Sequence, residues 1–347
     1  MLPEFELLMP HTLPEALDVL AQGGPDVVPL AGGTALLVDM RGGHLRPGVL
    51  MDVSHLPASS EPFGKVECQQ ENGHVVVGGG VTIAGLLDDP LVARYGPVLG
   101  QAARRFANPL VRNRATLGGN LAYASPAADM APPLLVLGAE VELASLAGTR
   151  RVALEDFLLG VHQTVRRPDE LLTAVRWPVP PPQAVGAYRK LALRQATAVS
   201  VVSVAVMVEF DAEASPPRSG GSGDGSPRVT NARIALGAVA PRPVRAHAAE
   251  EVLRGQPLTP EAIAEAARLA VEATCCIDDL RGSATYRRRV TEVLVRRALT
   301  DVATFPPSRK LPSFREGRKA GGGVACNPKS SHSTSTGTRT RWRWPPT

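Results

Sequence analysis

Long hydrophobic runs are absent from this 347-residue chain. No apolar stretch approaches the roughly 20 residues that a membrane helix needs, and the most apolar one, residues 198–208, holds two serines and has the length of a strand. The opening MLPEFELLMP carries acids and no basic cluster, so no secretory signal is expected and the chain reads as cytoplasmic. Cysteine is scarce: Cys68, Cys275, Cys276 and Cys326, none in a C-x-x-C pair. Adjacent Cys275 and Cys276 lack metal-site spacing, so the four are expected to be reduced thiols, with no zinc or iron–sulfur centre in this chain. G-x-G-x-x-G, G-x-x-x-x-G-K-[ST] and G-x-S-x-G are all missing. Their absence disfavours a Rossmann domain, a P-loop NTPase and a serine-hydrolase elbow.

A strongly basic folded body is missing as well. The net charge is +5, but residues 306–347 hold nine Lys/Arg and one Glu, which leaves −3 on the other 305 residues. The basic character belongs to a Gly/Ser/Thr/Pro-rich tail that also holds Trp342 and Trp344, and residues 305–347 are expected to be disordered. A nucleic-acid-binding body is therefore not expected.

Hydrophobic residues make up 44% and charged residues 20%, which suits a globular chain of two or more domains. A proline-rich connector at residues 178–182 divides it. A second Ser/Gly/Pro stretch at 212–227 lies between two apolar strand-like runs and reads as a long hairpin connection, because a lone strand has no sheet to join. Upstream of the connector, a helix is expected over 11–23, where Leu13, Ala16, Leu17 and Leu20 recur at helical spacing. Strands are expected at 27–30, 48–53, 74–77 and 171–177, and helices at 83–87 and 98–107. Downstream, strands at 199–210 and 232–240 give way to helices at 246–254, 260–273 and 285–300. The chain is thus α+β, with glycine loops concentrated in its first half.

Two glycine loops carry the chemistry. Ala31-Gly32-Gly33-Thr34 follows a strand, and Thr116-Leu117-Gly118-Gly119-Asn120 precedes residues 121–129 (LAYASPAAD). Paired glycines let the main chain approach a ligand and aim N–H groups at an anion, and a threonine hydroxyl adds a donor. A ligand-free tight turn is the competing explanation for either loop alone. Ser125 with Pro126 reads as a helix N-cap with proline at the first helical position, and Asp129 then falls in the first turn, where its charge favours the helix dipole. A helix start beside an anion loop suits a dinucleotide pyrophosphate.

Residues 30–40 (LAGGTALLVDM) and 115–138 (ATLGGNLAYASPAADMAPPLLVLG) together resemble the FAD-binding subunit of the molybdenum hydroxylases, the xanthine dehydrogenase and carbon monoxide dehydrogenase flavoprotein family. The resemblance continues in 169–172 (DELL), 187–194 (AYRKLALR) and 281–299 (RGSATYRRRVTEVLVRRAL), and covers about residues 1–300. It implies a two-part FAD-binding domain of the vanillyl-alcohol-oxidase type at 1–180, with subdomains of about 1–55 and 56–180. It also implies a C-terminal domain at 183–304, with a small antiparallel sheet and helices.

Carried over residue by residue, Ala31, Gly32, Gly33, Thr34, Ala35, Leu36 and Leu37 look like the first FAD loop. Thr116, Gly118, Gly119 and Asn120 look like the second. Ser125 belongs to the same motif, and Asp129 matches an acid that binds the ribityl or ribose portion. Phe106, Leu172 and Lys190 match residues near the flavin; core packing is the competing reading for Phe106 and Leu172, and a solvated strand position for Lys190. Ala35 stands where relatives often carry an acid, and QATAVS after Arg194 lacks an acidic residue found in many.

The resemblance implies noncovalent FAD, no catalytic acid or base, and partners that hold molybdopterin and two [2Fe–2S] clusters in a heterotrimer that can dimerise. Electrons would pass from a cluster through FAD to NAD, a quinone or oxygen. The basic helix at 285–300 is expected to bury Tyr286, Val290, Val293, Leu294 and Leu299 and to present its arginines to solvent. A stand-alone flavin oxidase and a cofactor-free scaffold are the competing classes. Flavin content separates the scaffold from the others, and co-purifying molybdenum and iron separate the subunit from the oxidase.

Overall fold

The computed structural model describes residues 2–56, 62–64, 66–69, 73–195, 197–211, 227–304 and 340–341. Strand β1 (Glu6–Leu8) leads into helix α1 (Leu13–Gly23), whose N-cap Thr12 accepts the Glu15 N–H. Then come β2 (Val27–Leu30), α2 (Leu36–Gly42) and β3 (Val49–Asp52). The three strands are mutually parallel, with β3 between β1 and β2.

The next part runs through β4 (Val66–Gln69), β5 (His74–Gly78), α3 (Ile83–Asp88), α4 (Pro90–Tyr95), α5 (Pro97–Arg105), α6 (Pro109–Arg112), α7 (Leu117–Ala122) and α8 (Ala131–Leu137). It closes with β6 (Glu140–Ser145), β7 (Gly148–Ala153), α9 (Leu154–Phe157), β8 (Leu158–Gly160), β9 (Gln163–Thr164) and β10 (Leu171–Pro178). Strands β4, β5, β10, β6 and β7 form one antiparallel sheet in that order. Its central strand β10 is buried along nearly its whole length, and the Trp177 indole donates to the Tyr95 carbonyl at 3.1 Å.

The last part holds β11 (Ala184–Ala192), β12 (Ser200–Phe210), β13 (Val229–Gly237), β14 (Val244–Arg245), α10 (His247–Leu253), α11 (Pro260–Ala270) and α12 (Ala284–Thr304). The four strands make an antiparallel sheet in sequence order. This sheet is a middle layer. Val202, Val204, Val206 and Val208 pack with the three helices, while Tyr188, Ala205, Met207 and Ala235 join the core of the preceding part. Burial on both faces explains why β12 reads as a continuous apolar run rather than an alternating one. The chain is thus α+β, a two-part N-terminal region followed by a small antiparallel sheet with its helices.

The stretch at 212–227 joins antiparallel neighbours β12 and β13, as a hairpin connection does, and 212–226 lie outside the described residues. Of the basic tail, only β15 (Thr340–Arg341) is described, paired antiparallel with β1; the remainder of 305–347 lies outside the described residues.

Three local expectations are corrected. Ser125 caps no helix: Ala124 takes a left-handed conformation (φ 48°), and the next helix begins only at Ala131, with prolines 132 and 133 in its first turn. Ser125 Oγ instead accepts the Ala127 N–H at 3.3 Å, and Asp129 lies ahead of the helix. The second glycine loop is itself helical, being the first turn of α7 with Thr116 as N-cap. Finally, α12 buries Arg287, Thr291, Leu294, Val295, Ala298, Leu299 and Val302, while Tyr286 is half exposed. Arg287 is drawn in because its guanidinium donates to the Val201 and Ala238 carbonyls and pairs with Asp279.

Candidate functional site

Loop 31–35 leaves β2 and turns into α2. Gly33 has φ 70°, which a residue with a Cβ adopts only under strain. A Cβ on Gly32 would overlap the Arg114 carbonyl, so this glycine lets the first loop lie directly on the segment that leads into Thr116. Among the described residues, the N–H groups of Gly32, Gly33, Thr34 and Ala35 donate to no acceptor. Four consecutive free donors at a helix start are available to an anion.

The second motif works differently. Gly118 N–H donates to the Gly79 carbonyl at 2.9 Å, Asn120 N–H to the Thr116 carbonyl at 3.0 Å, and Gly119 N–H to Thr116 Oγ1 at 3.1 Å. These N–H groups are spent inside the protein. What remains for a ligand is the Thr116 hydroxyl hydrogen, the exposed backbone at Gly119 and the Asn120 carboxamide. Asn120 Oδ1 is buried with no hydrogen-bond partner among the described residues, an orphaned acceptor.

Gly118 serves packing. Its Cβ would stand 2.7 Å from the Gly79 carbonyl oxygen, in the turn that follows β5. That turn is tied to β10 by Gly79 N–H donating to Thr173 O at 2.7 Å, and a Cβ on Gly79 would strike the Leu172 carbonyl. Leu172 is buried in the main core and thus backs the turn against which α7 rests.

Asp129 and Lys190 meet across the interface between the two halves. Lys190 Nζ donates to Asp129 Oδ2 at 2.6 Å and to the Arg105 carbonyl at 3.3 Å, with both side chains buried. The solvated position considered for Lys190 is not what the structure shows. Asp129 Oδ1 also accepts from the Tyr188 hydroxyl at 3.0 Å and the Ser200 hydroxyl at 2.7 Å. Phe106 follows Arg105, packs against the main core and offers its carbonyl to Arg112 at 2.8 Å. Next to it opens a cavity of about 450 Å³ lined by Arg105, Lys190, Leu191, Leu193, Arg194 and Ala198, among others.

Residues 31–37, Thr116, Gly118 and Leu172 are therefore brought into one continuous contact chain, and Asp129 and Lys190 into a second cluster through Arg105, the residue before Phe106. Ser125 bonds within its own turn, to the N–H groups of Ala127 and Ala128. Tyr188 and Ser200 were not singled out from sequence. Tyr188 lies two residues before Lys190 and shares its strand face, a signal that was available; Ser200 depends on a register shift that no spacing reveals. Cys275 and Cys276 are free thiols, and no cluster of metal-ligating side chains occurs among the described residues.

The free donors of the first loop, the Thr116 hydroxyl and the orphaned Asn120 oxygen fit the polar surface of FAD, whose pyrophosphate is anionic and whose ribityl and ribose groups are rich in hydroxyls. Comparisons with known proteins agree. Residues 3–180 match the family described as FAD binding domain in molybdopterin dehydrogenase, and residues 186–302 match the CO dehydrogenase flavoprotein C-terminal domain. The chain is 30% identical over 300 residues to the nicotine 6-hydroxylase medium subunit of Paenarthrobacter nicotinovorans, covering 86% of this chain and 98% of that one. It is 32% identical over 295 residues to the carbon monoxide dehydrogenase medium chain of Afipia carboxidovorans, covering 85% and 95%.

Among solved structures, a Cu,Mo-CO dehydrogenase in its cyanide-inactivated form superposes with a TM-score of 0.78 at 32% identity, covering 88% of this chain and 99% of that one. Quinoline 2-oxidoreductase from Pseudomonas putida 86 gives 0.77 at 30% identity, covering 88% and 98%. No described helix is long and apolar enough to cross a membrane. The chain belongs to the FAD-binding medium subunits of the molybdenum hydroxylases, oxidoreductase components of the xanthine dehydrogenase and carbon monoxide dehydrogenase type.

Proposed function

We propose that this chain holds FAD noncovalently between residues 31–37 and Thr116 and relays electrons from the [2Fe–2S] clusters of one partner subunit to an external acceptor, while another partner carries molybdopterin. When bound, FAD supplies the redox chemistry; the chain supplies binding and orientation. The N–H groups of Gly32, Gly33, Thr34 and Ala35 face the pyrophosphate, framed by Ala31, Leu36 and Leu37. The Thr116 hydroxyl, whose oxygen already accepts from Gly119, has its hydrogen left for a cofactor oxygen. Gly119 keeps that approach open, Gly118 seats α7 on the turn at Gly79, and Asn120 offers its free oxygen. Ser125 stabilises the turn that carries the chain toward Asp129. Asp129 accepts from a ribityl or ribose hydroxyl, Lys190 places a positive charge beside it, and Phe106 and Leu172 give apolar backing to the flavin. No side chain is assigned as a general acid or base.

The observation that carries this reading is the row of four free N–H donors lying against the Thr116 segment. The test is the visible spectrum of the purified chain, with identification of the cofactor released on denaturation. FAD near one per chain is expected, released without covalent attachment. A colourless chain that stays colourless after incubation with FAD would overturn the assignment. Co-expression with the iron–sulfur and molybdopterin chains is expected to yield a complex containing molybdenum and iron, in which reducing substrate bleaches the flavin only when both partners are present.

A further inference from the structure

Among the described residues, every donor to the Asp129 carboxylate comes from the C-terminal sheet. Oδ1 takes the hydroxyls of Tyr188 and Ser200, and Oδ2 takes the Lys190 ammonium. Each carboxylate oxygen has about two acceptor positions. Oδ1 is therefore filled, and Oδ2 keeps one.

The strands place these donors for a reason. Tyr188 and Lys190 are two residues apart on β11 and share a face. The register shift between Leu191 and Ala192 pairs Ser200 with Ala192, two residues beyond Lys190, so the bulge brings a third donor onto that face. Tyr188 is further pinned by its own N–H, which donates to Gln101 Oε1 at 2.8 Å. Burial, and then the Asp129 charge, push its phenol well above the ordinary tyrosine range, so it stays a neutral O–H donor.

We propose that Tyr188 and Ser200 are positioning residues of the cofactor site: by filling Oδ1 they orient Asp129 so that one acceptor position, on Oδ2 beside the Lys190 ammonium, is presented to a cofactor hydroxyl. This makes the C-terminal sheet a part of the FAD site and rests on the reading of Asp129 as a FAD-binding residue. With only one of the two hydroxyls present, Oδ1 regains an open acceptor position, and the carboxylate is free to divide its open positions between water and ligand. Holding it with two removes that freedom before the cofactor arrives.

The test is the FAD dissociation constant of the full-length apo chain, by equilibrium dialysis and flavin fluorescence, for Tyr188→Phe, Ser200→Ala, Ser200→Thr, Asp129→Asn and the Tyr188→Phe/Asp129→Asn double variant. Loss of one hydroxyl is expected to weaken FAD by about 3- to 10-fold, the range of one net hydrogen bond. Ser200→Thr keeps the hydroxyl and is expected to bind nearly as wild type. Asp129→Asn is expected to lose more than either single donor variant, and Tyr188→Phe is expected to add nothing in that background. A merely structural role for Tyr188 would weaken FAD equally in both backgrounds.

Wild-type affinity in Tyr188→Phe and Ser200→Ala alongside a loss in Asp129→Asn would overturn the positioning role and leave the Asp129 assignment standing. Unchanged affinity in Asp129→Asn would remove the assignment itself. Should Tyr188→Phe fail to fold, as judged by circular dichroism, the Ser200→Ala and Ser200→Thr pair decides: equal loss in both overturns the proposal.

Discussion

Tyr123 joins three segments that are distant in sequence. It follows α7, its hydroxyl engages Asp39 on α2, and its ring lies 4.4 Å from that of His162, whose Nδ1 sits 2.9 Å from the Tyr123 carbonyl. It is thus a clasp between α2, which follows the first glycine loop, and the segment that follows α7. Burial first, then the hydrogen bond and charge of Asp39, push its phenol up to about 12. An unfolded tyrosine ionises near 10. Between these values the unfolded chain has released the proton while the folded chain still holds it, so stability falls as pH rises through that window. The contribution is fully present below about 10 and is gone above the folded value. Tyr123→Phe is therefore expected to flatten the alkaline decline specific to that interval. Urea unfolding of wild type and variant at matched pH values across it checks this, and parallel curves would show that the clasp is not the titrating group.

At the scale of elements, α7 is held by contact with a neighbouring turn rather than by helix propensity, since two of its six residues are glycine. Gly118→Ala would drive a Cβ to 2.7 Å from the Gly79 carbonyl oxygen and 2.9 Å from its Cα, both main-chain atoms that cannot step aside. A loss of about 1–3 kcal/mol is expected, the range of overpacked sites. At Gly119 a Cβ meets only Thr116 Oγ1, at 2.8 Å. There the helix gain of about 1 kcal/mol over glycine is set against a disturbed cap worth about the same, so Gly119→Ala is expected to be near neutral. Denaturant midpoints with unchanged m-values decide between them; equal losses would mean that the Gly79 contact does not set the position of α7.

This difference marks what was readable beforehand. The glycine pairs and Asp129 stand in a long motif, so their importance is visible, and strands β2, β3, β5, β10, β12 and β13 and helices α1, α3, α5, α10, α11 and α12 are legible in hydrophobic patterning. That the Gly118 N–H is already used depends on the turn at 79, some 40 residues away. The burial of Arg287 likewise depends on two carbonyls and a carboxylate supplied by other segments. The hairpin of β6 and β7, strand β11 and the short helices α2, α4 and α6 to α9 are not legible in this way. Local pattern reports which residues matter; donor bookkeeping requires knowing the neighbours.

For the whole molecule, the Asp129 junction implies that cofactor binding and the union of the two halves are linked. Asp129 belongs to the segment before α8, whereas its three donors lie on β11 and β12. The same interface carries Gln101 bonded to the Tyr188 N–H, Arg233 to the Val136 carbonyl, and Arg245 and His247 to Glu155. Tyr188, Ala205, Met207 and Ala235 add apolar contact from the same sheet face. With so many ties, opening one half exposes the other, so a ligand held by the first must also raise the free energy needed to open the second. A ligand at 100 times its dissociation constant stabilises the folded state by about 2.7 kcal/mol. Hydrogen exchange read by mass spectrometry is therefore expected to show FAD raising protection by a similar factor in α7 and in the β12–β13 hairpin, although the hairpin lies outside the first glycine loop and the Thr116 segment. Protection confined to residues before Pro178 would mean that the halves open independently and that the buried carboxylate does not transmit cofactor binding between them.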